Sequence, residues 1–113
     1  MKSISWSYHR KGCNTCARTQ DFLVKNSVDV AVQVDARKNA IGRQEALALA
    51  RRASAVLSTR GKSVKRLSPA DATDEAIAEL IIGPSGNLRA PAFFVDDVLM
   101  IGFEESAYRT LLT

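Results

Sequence analysis

The stretch Ser3-Ile4-Ser5-Trp6-Ser7-Tyr8-His9-Arg10-Lys11-Gly12-Cys13-Asn14-Thr15-Cys16 decides how this chain folds. Its first half alternates small serines with Ile4, Trp6 and Tyr8, the period of two that places the large side chains on one face of a strand. His9 to Gly12 breaks that alternation. From Cys13 to Lys25 the period lengthens, setting Cys16, Gln20, Leu23 and Val24 along one helical stripe, with Asn26 as the closing cap. A strand, a glycine turn and a helix start succeed one another, and two cysteines fall where the helix begins.

Outward from there, Val28, Val30, Val32 and Val34 alternate with polar residues and predict a second strand at a sheet edge. Arg43 to Leu57 carries Ala46, Leu47, Ala50, Ala53 and Leu57 at helical spacing. Ser68-Pro69-Ala70-Asp71 offers a helical turn, and Thr73-Asp74-Glu75 starts a helix that buries Ile77, Leu80 and Ile81 and stops at Gly83-Pro84. Ala92–Asp96 and Val98–Phe103 form an antiparallel hairpin through Asp96-Asp97. Glu104 to Leu112 closes the chain as a helix with acids in its first turn. The predicted architecture is an α/β fold in one domain spanning 1–113. A four-stranded mixed sheet is built from a β-α-β half and a β-β-α half, with helices on both faces and a helical insertion at about 37–83.

With 113 residues, 46% hydrophobic and 25% charged, there is room for one core and none for a second catalytic domain. No apolar run approaches the roughly 20 residues of a membrane span. Met1 to Trp6 has no apolar stretch behind its basic residue and no cleavage site, so the expected address is cytoplasmic. In a reducing compartment, two cysteines three positions apart read as chemistry and not as a structural staple. A structural zinc needs four ligands, and two cysteines with one histidine fall short. No metal is therefore expected, and His9 reads as a loop or strand-end residue rather than a catalytic base.

At the start of a helix Cys13 meets unpaired backbone N–H groups and the positive end of the helix dipole, while Arg10, Lys11 and Arg18 add charge. Cys13 is the expected nucleophile. Cys16, one turn further in and more buried, is the expected resolving thiol. The formal net charge of +4 is concentrated between Arg37 and Arg66, where nine basic residues stand against the single acid Glu45. That segment has no aromatic residue to stack on bases, so direct nucleic-acid binding is not expected.

Taken together, Tyr8-x4-Cys13-x2-Cys16-x-Arg18, the run Leu57 to Lys62, Arg89-Ala90-Pro91 and Ile101-Gly102-Phe103-Glu104 resemble the arsenate reductase-like (ArsC/Spx) branch of the thioredoxin and glutaredoxin superfamily. The resemblance implies a thioredoxin-like fold with Pro91 as a cis-proline, so that Ala90 and Pro91 flank the thiol site. It implies a glutaredoxin-like thiol–disulfide oxidoreductase using Cys13 and Cys16. Arg60 and Arg89 match two of the three oxyanion-holding arginines of the arsenate reductases, and would bind substrate. Substrates would be a disulfide, a glutathionylated protein or a small thiol, with glutathione as co-substrate and no tightly bound cofactor. Two alternatives come with the resemblance. One is a redox-sensing regulator that binds the RNA polymerase α subunit. The other is a glutathione-dependent arsenate reductase, against which the third arginine is missing.

Overall fold

The computed structural model describes all 113 residues. Its sheet has six strands in the order β2-β1-β5-β6-β3-β4. The elements run β1 (Trp6–His9), α1 (Asn14–Lys25), β2 (Gln33–Asp35), α2 (Arg43–Arg51), β3 (Ala55–Arg60), β4 (Ser63–Leu67), α3 (Asp74–Ile81), β5 (Ala92–Val95), β6 (Val98–Ile101) and α4 (Glu105–Leu112). β1 and β2 are parallel, and β5 is antiparallel to both β1 and β6.

The four-stranded expectation is corrected to six strands, and the insertion expected to be helical contains a β-hairpin. Helical spacing through Leu57 is broken at Arg51, where α2 ends. Alanine fits either period, so Ala46, Ala50 and Ala53 carry the helical pattern past its end. Beyond it, Ala55-Val56-Leu57-Ser58-Thr59-Arg60 fills the slot beside β6 as a parallel strand. Gly61 and Lys62 form a two-residue loop, and Gly61 takes φ +60° at the position a type II′ hairpin turn reserves for glycine. β2 is also shorter than the valine alternation suggests, covering only Gln33–Asp35.

Both faces of the sheet are covered. Along β5, Ala92 and Phe94 point to one side, where α2 and α3 bring Leu47, Ala50, Ile77, Leu80 and Ile81. Phe93 and Val95 point to the other, where α1 and α4 bring Phe22, Leu23, Tyr108 and Leu112. Each such large side chain, fully buried, stabilises the fold by about 1.5–3 kcal/mol. The buried stripe of α1 keeps Cys16 and Leu23 of the predicted one but replaces Gln20 and Val24 with Thr19 and Phe22, and Val24 is 77% exposed. The reason is that α1 packs on the aromatic cluster of Phe103 and Tyr108, which rotates Val24 outward.

The α1–α4 layer is tied to the site by one hydrogen-bonded chain. The Tyr108 hydroxyl donates to the Gly102 carbonyl at 2.5 Å and meets the Thr19 hydroxyl at 3.0 Å. The Gly102 N–H in turn donates to the Pro91 carbonyl at 2.8 Å. Buried hydroxyls of this kind are retained only when satisfied, and this one links α1 to the segment that faces the cysteines.

Candidate functional site

Cys13 is the N-cap of α1. Its Sγ accepts the Cys16 backbone N–H at 3.4 Å and lies 4.0 Å from the Ala90 carbonyl oxygen. It is half-buried, whereas Cys16 is 0% exposed, and both are free thiols. The Cys16 Sγ accepts the Arg10 backbone N–H at 3.4 Å. The Ala90–Pro91 peptide is cis. Two pairs distant in sequence, Cys13 with Cys16 and Ala90 with Pro91, are thus brought together through Cys13 and Ala90 where β1 ends and β5 begins.

Cys13 opens into a groove of about 510 Å³ walled by Tyr8, Arg10, Arg37, Asn87, Arg89 and Ala90 among others. No acidic side chain lines it. Sequence patterning does not single out Arg37 as a site residue. It comes to the groove because the Tyr8 hydroxyl, buried in the sheet, donates to the Asn39 carbonyl and accepts the Ile41 N–H, which holds residues 39–41 against the strand. Its one sequence signal is that it begins the basic segment.

Arg89 is half-buried and reaches inward. Its guanidinium donates to the Ser58 hydroxyl at 2.8 Å, the Leu80 carbonyl at 3.2 Å and the Thr59 carbonyl at 3.0 Å. Burial holds its pKa below the usual arginine range, and the nearby Arg60 charge adds to the effect. Arg60 donates to the Glu79 carbonyl at 2.9 Å and lines an adjoining groove with Thr15, Arg18, Arg89 and Phe103, a groove that Cys13 does not line. The two predicted substrate arginines therefore neighbour each other, and only Arg89 borders the thiol groove. Because three oxygens depend on one planar fork, Arg89→Lys is expected to cost about 1–3 kcal/mol in urea denaturation. An unchanged midpoint would show that the fork is not needed.

Burial pushes the Cys16 thiol up to about 12 from an ordinary 9.0, and Cys13 contributes to the rise while the Arg10 N–H opposes it. Burial likewise raises the Tyr108 hydroxyl. A folded-state value above the unfolded one means that the unfolded chain loses its proton first as pH rises. The stabilising contribution of Cys16 is then complete below pH 9 and is lost between pH 9 and about 12. The reduced protein is expected to lose stability over that window, with a shallower slope in Cys16→Ala. Identical slopes in urea titrations of the two proteins would contradict this.

His9 stands at the end of β1 with its Nδ1 3.4 Å from the Gln20 amide nitrogen. No cluster of three or more His, Cys, Asp or Glu side chains gathers anywhere in the chain.

No protein-family model matches this chain, and no curated protein does. Solved structures do match it, among them that of the YffB (PA3664) protein, with a TM-score of 0.56 and 18% identity over 96% of this chain and 98% of that one. The fold is thioredoxin-like. At that identity the likeness carries the architecture and leaves the chemistry to be argued from the residues. No helix is long and apolar enough to cross a membrane.

Proposed function

We propose that this chain is a small glutaredoxin-like thiol–disulfide oxidoreductase of the ArsC/Spx kind, working in a reducing compartment such as the cytoplasm. The observation that carries this reading is the placement of the Cys13 sulfur. It sits half-exposed at a helix N-terminus, takes a backbone N–H, and lies beside the Ala90 carbonyl in a groove whose charged groups are Arg10, Arg37 and Arg89. A backbone N–H aimed at sulfur and a helix N-terminus suit a thiolate. An extended substrate can pair with the backbone at Ala90 while its disulfide faces Cys13.

In the proposed exchange the Cys13 thiolate attacks one sulfur of the substrate disulfide. A Cys13–substrate disulfide forms, the substrate S–S bond breaks, and the other half leaves as a thiolate. Cys16 then passes its proton to the departing thiolate, attacks Cys13 Sγ and releases the second half of the substrate as a thiolate, which takes a proton from water. The substrate gains two electrons and the protein keeps a Cys13–Cys16 disulfide, which two molecules of glutathione, as co-substrate, return to the dithiol, leaving together as glutathione disulfide. Burial keeps Cys16 protonated while Cys13 attacks, and Cys16 gives up its proton to the departing thiolate only as its sulfur bonds to Cys13.

Arg60 and Arg89 lend less support to arsenate as the substrate. Arg60 lies outside the thiol groove. Glu104, in the stretch where the family's third arginine would fall, accepts the Ala107 N–H at 3.1 Å as the cap of α4.

The test is to trap the intermediate. Cys16→Ser, incubated with a glutathionylated peptide, is expected to accumulate a Cys13–glutathione disulfide visible by intact mass, at a level wild type does not reach. A Cys16→Ser protein that stays unmodified while wild type turns over would remove Cys13 from the attacking role.

A further inference from the structure

β4 is the outermost strand of the sheet and pairs with β3 alone. In an edge strand every second residue turns its N–H and C=O groups away from the sheet. No loop backbone reaches residues 62–67 to satisfy them. Ser63, Val64, Lys65 and Arg66 are all exposed, and Val64 is 37% exposed. Successive side chains alternate, so Lys65 stands on one face and Val64 and Arg66 on the other.

The charge on this hairpin is one-sided. Arg60, Lys62, Lys65 and Arg66 belong to it, and no acid occurs in the sequence between Glu45 and Asp71. None of the four is in an ion pair; the pairs that exist are Lys2–Asp96, Arg51–Asp74 and Arg109–Glu105. Two of the four, Lys65 and Arg66, lie on the open ladder itself, and Lys62 stands in the loop that leads into it.

We propose that the β4 edge receives an extended, acid-rich polypeptide segment as an added strand. The backbone of the incoming segment continues the ladder, its carboxylates meet Lys62, Lys65 and Arg66, and an apolar side chain covers Val64. Charge complementarity selects this occupant. A second copy of the chain, added antiparallel on β4, would crowd the Lys65 and Arg66 of one copy against the same two cations of the other, and like charges across a ladder destabilise it. A nucleic acid would find phosphate contacts but no stacking surface, because no aromatic residue lies between Phe22 and Phe93. The edge also connects to the thiol site: Arg60 and Gly61 line the groove that shares Gly83, Pro84 and Arg89 with the groove of Cys13. The docking itself does not depend on the redox reading.

Full-length Cys13→Ser protein, labelled with ¹⁵N, keeps thiol exchange out of the test. It is titrated with a capped seven-residue peptide of glutamates around one central valine, with the same peptide N-methylated at alternate amides, and with a single-stranded oligodeoxynucleotide of similar charge. Amide shifts are expected to centre on residues 62–67. Binding is expected to weaken about tenfold on N-methylation and about tenfold in Lys65→Glu/Arg66→Glu. Equal binding by the methylated peptide would reduce the surface to a charge patch, and equal binding by the oligodeoxynucleotide would make it a polyanion site. Either result overturns the proposal, as do shifts centred on Arg10 and Arg37. The methylated-peptide comparison does not depend on the Lys65→Glu/Arg66→Glu protein folding. Binding here by the Cys13→Ser protein together with no disulfide exchange by the wild-type protein would refute the redox reading and leave this one standing.

Discussion

Cys13→Ser is expected to lower turnover of a glutathionylated peptide by at least about a thousandfold, because a serine hydroxyl cannot supply the nucleophile that the exchange requires. The variant should fold as wild type does. Serine is itself a good N-cap and can accept the Cys16 N–H that the sulfur accepts now. The expected pattern is thus an unchanged urea midpoint with activity gone. Residual turnover near the wild-type rate would move the chemistry to Cys16 or away from the pair altogether. A large fall in stability would make the activity loss uninformative, and circular dichroism at working temperature separates the two cases.

The second large effect is on stability. Gly102 has φ +89°, and a Cβ placed there would stand 2.0 Å from Thr59 Oγ1 and 3.2 Å from Thr59 Cβ. Thr59 is a buried residue of β3, which is flanked by β6 and β4, so it has little room to retreat. Gly102→Ala is expected to cost about 2–4 kcal/mol from the left-handed backbone and the overpacked contact together. Adding Thr59→Ala should recover part of that loss by removing the hydroxyl, while the backbone contribution stays. Urea denaturation of the two singles and the double measures this directly. An unchanged midpoint in Gly102→Ala would mean that β3 and the segment after β6 do not approach closely enough to exclude a methyl group.

The parts of the fold that local sequence reveals are those whose period is unambiguous. Ile4, Trp6 and Tyr8 point to β1, and the paired apolar runs around Asp96-Asp97 point to β5 and β6, because in each case one period fits and the other does not. Ala53 to Leu67 is different. Alanine suits a helix stripe and a crowded strand equally, and what settles the matter is the vacancy beside β6, a partner more than thirty residues later. The site divides in the same way. Cys13 and Cys16 announce themselves by spacing, and Ala90-Pro91 by resemblance to a family. Arg37 does not, since its position depends on the Tyr8 hydroxyl reaching across to residues 39 and 41. Arg60 matches a family position, yet its guanidinium is drawn to the Glu79 carbonyl and away from the thiol groove. Such contacts between distant segments leave no periodic trace.

The β3–β4 hairpin also changes what the chain risks while it is being made. Before the hairpin docks, the open side of the sheet is β6, Val98-Leu99-Met100-Ile101, whose last three residues are fully buried in the finished molecule. An apolar strand edge of that kind is a template for aggregation. Docking replaces it with Ser63-Val64-Lys65-Arg66-Leu67, and the outermost backbone becomes a charged one. Substitutions that slow hairpin closure should therefore show themselves first as lost soluble yield in the cell, before any defect is measurable in the purified protein.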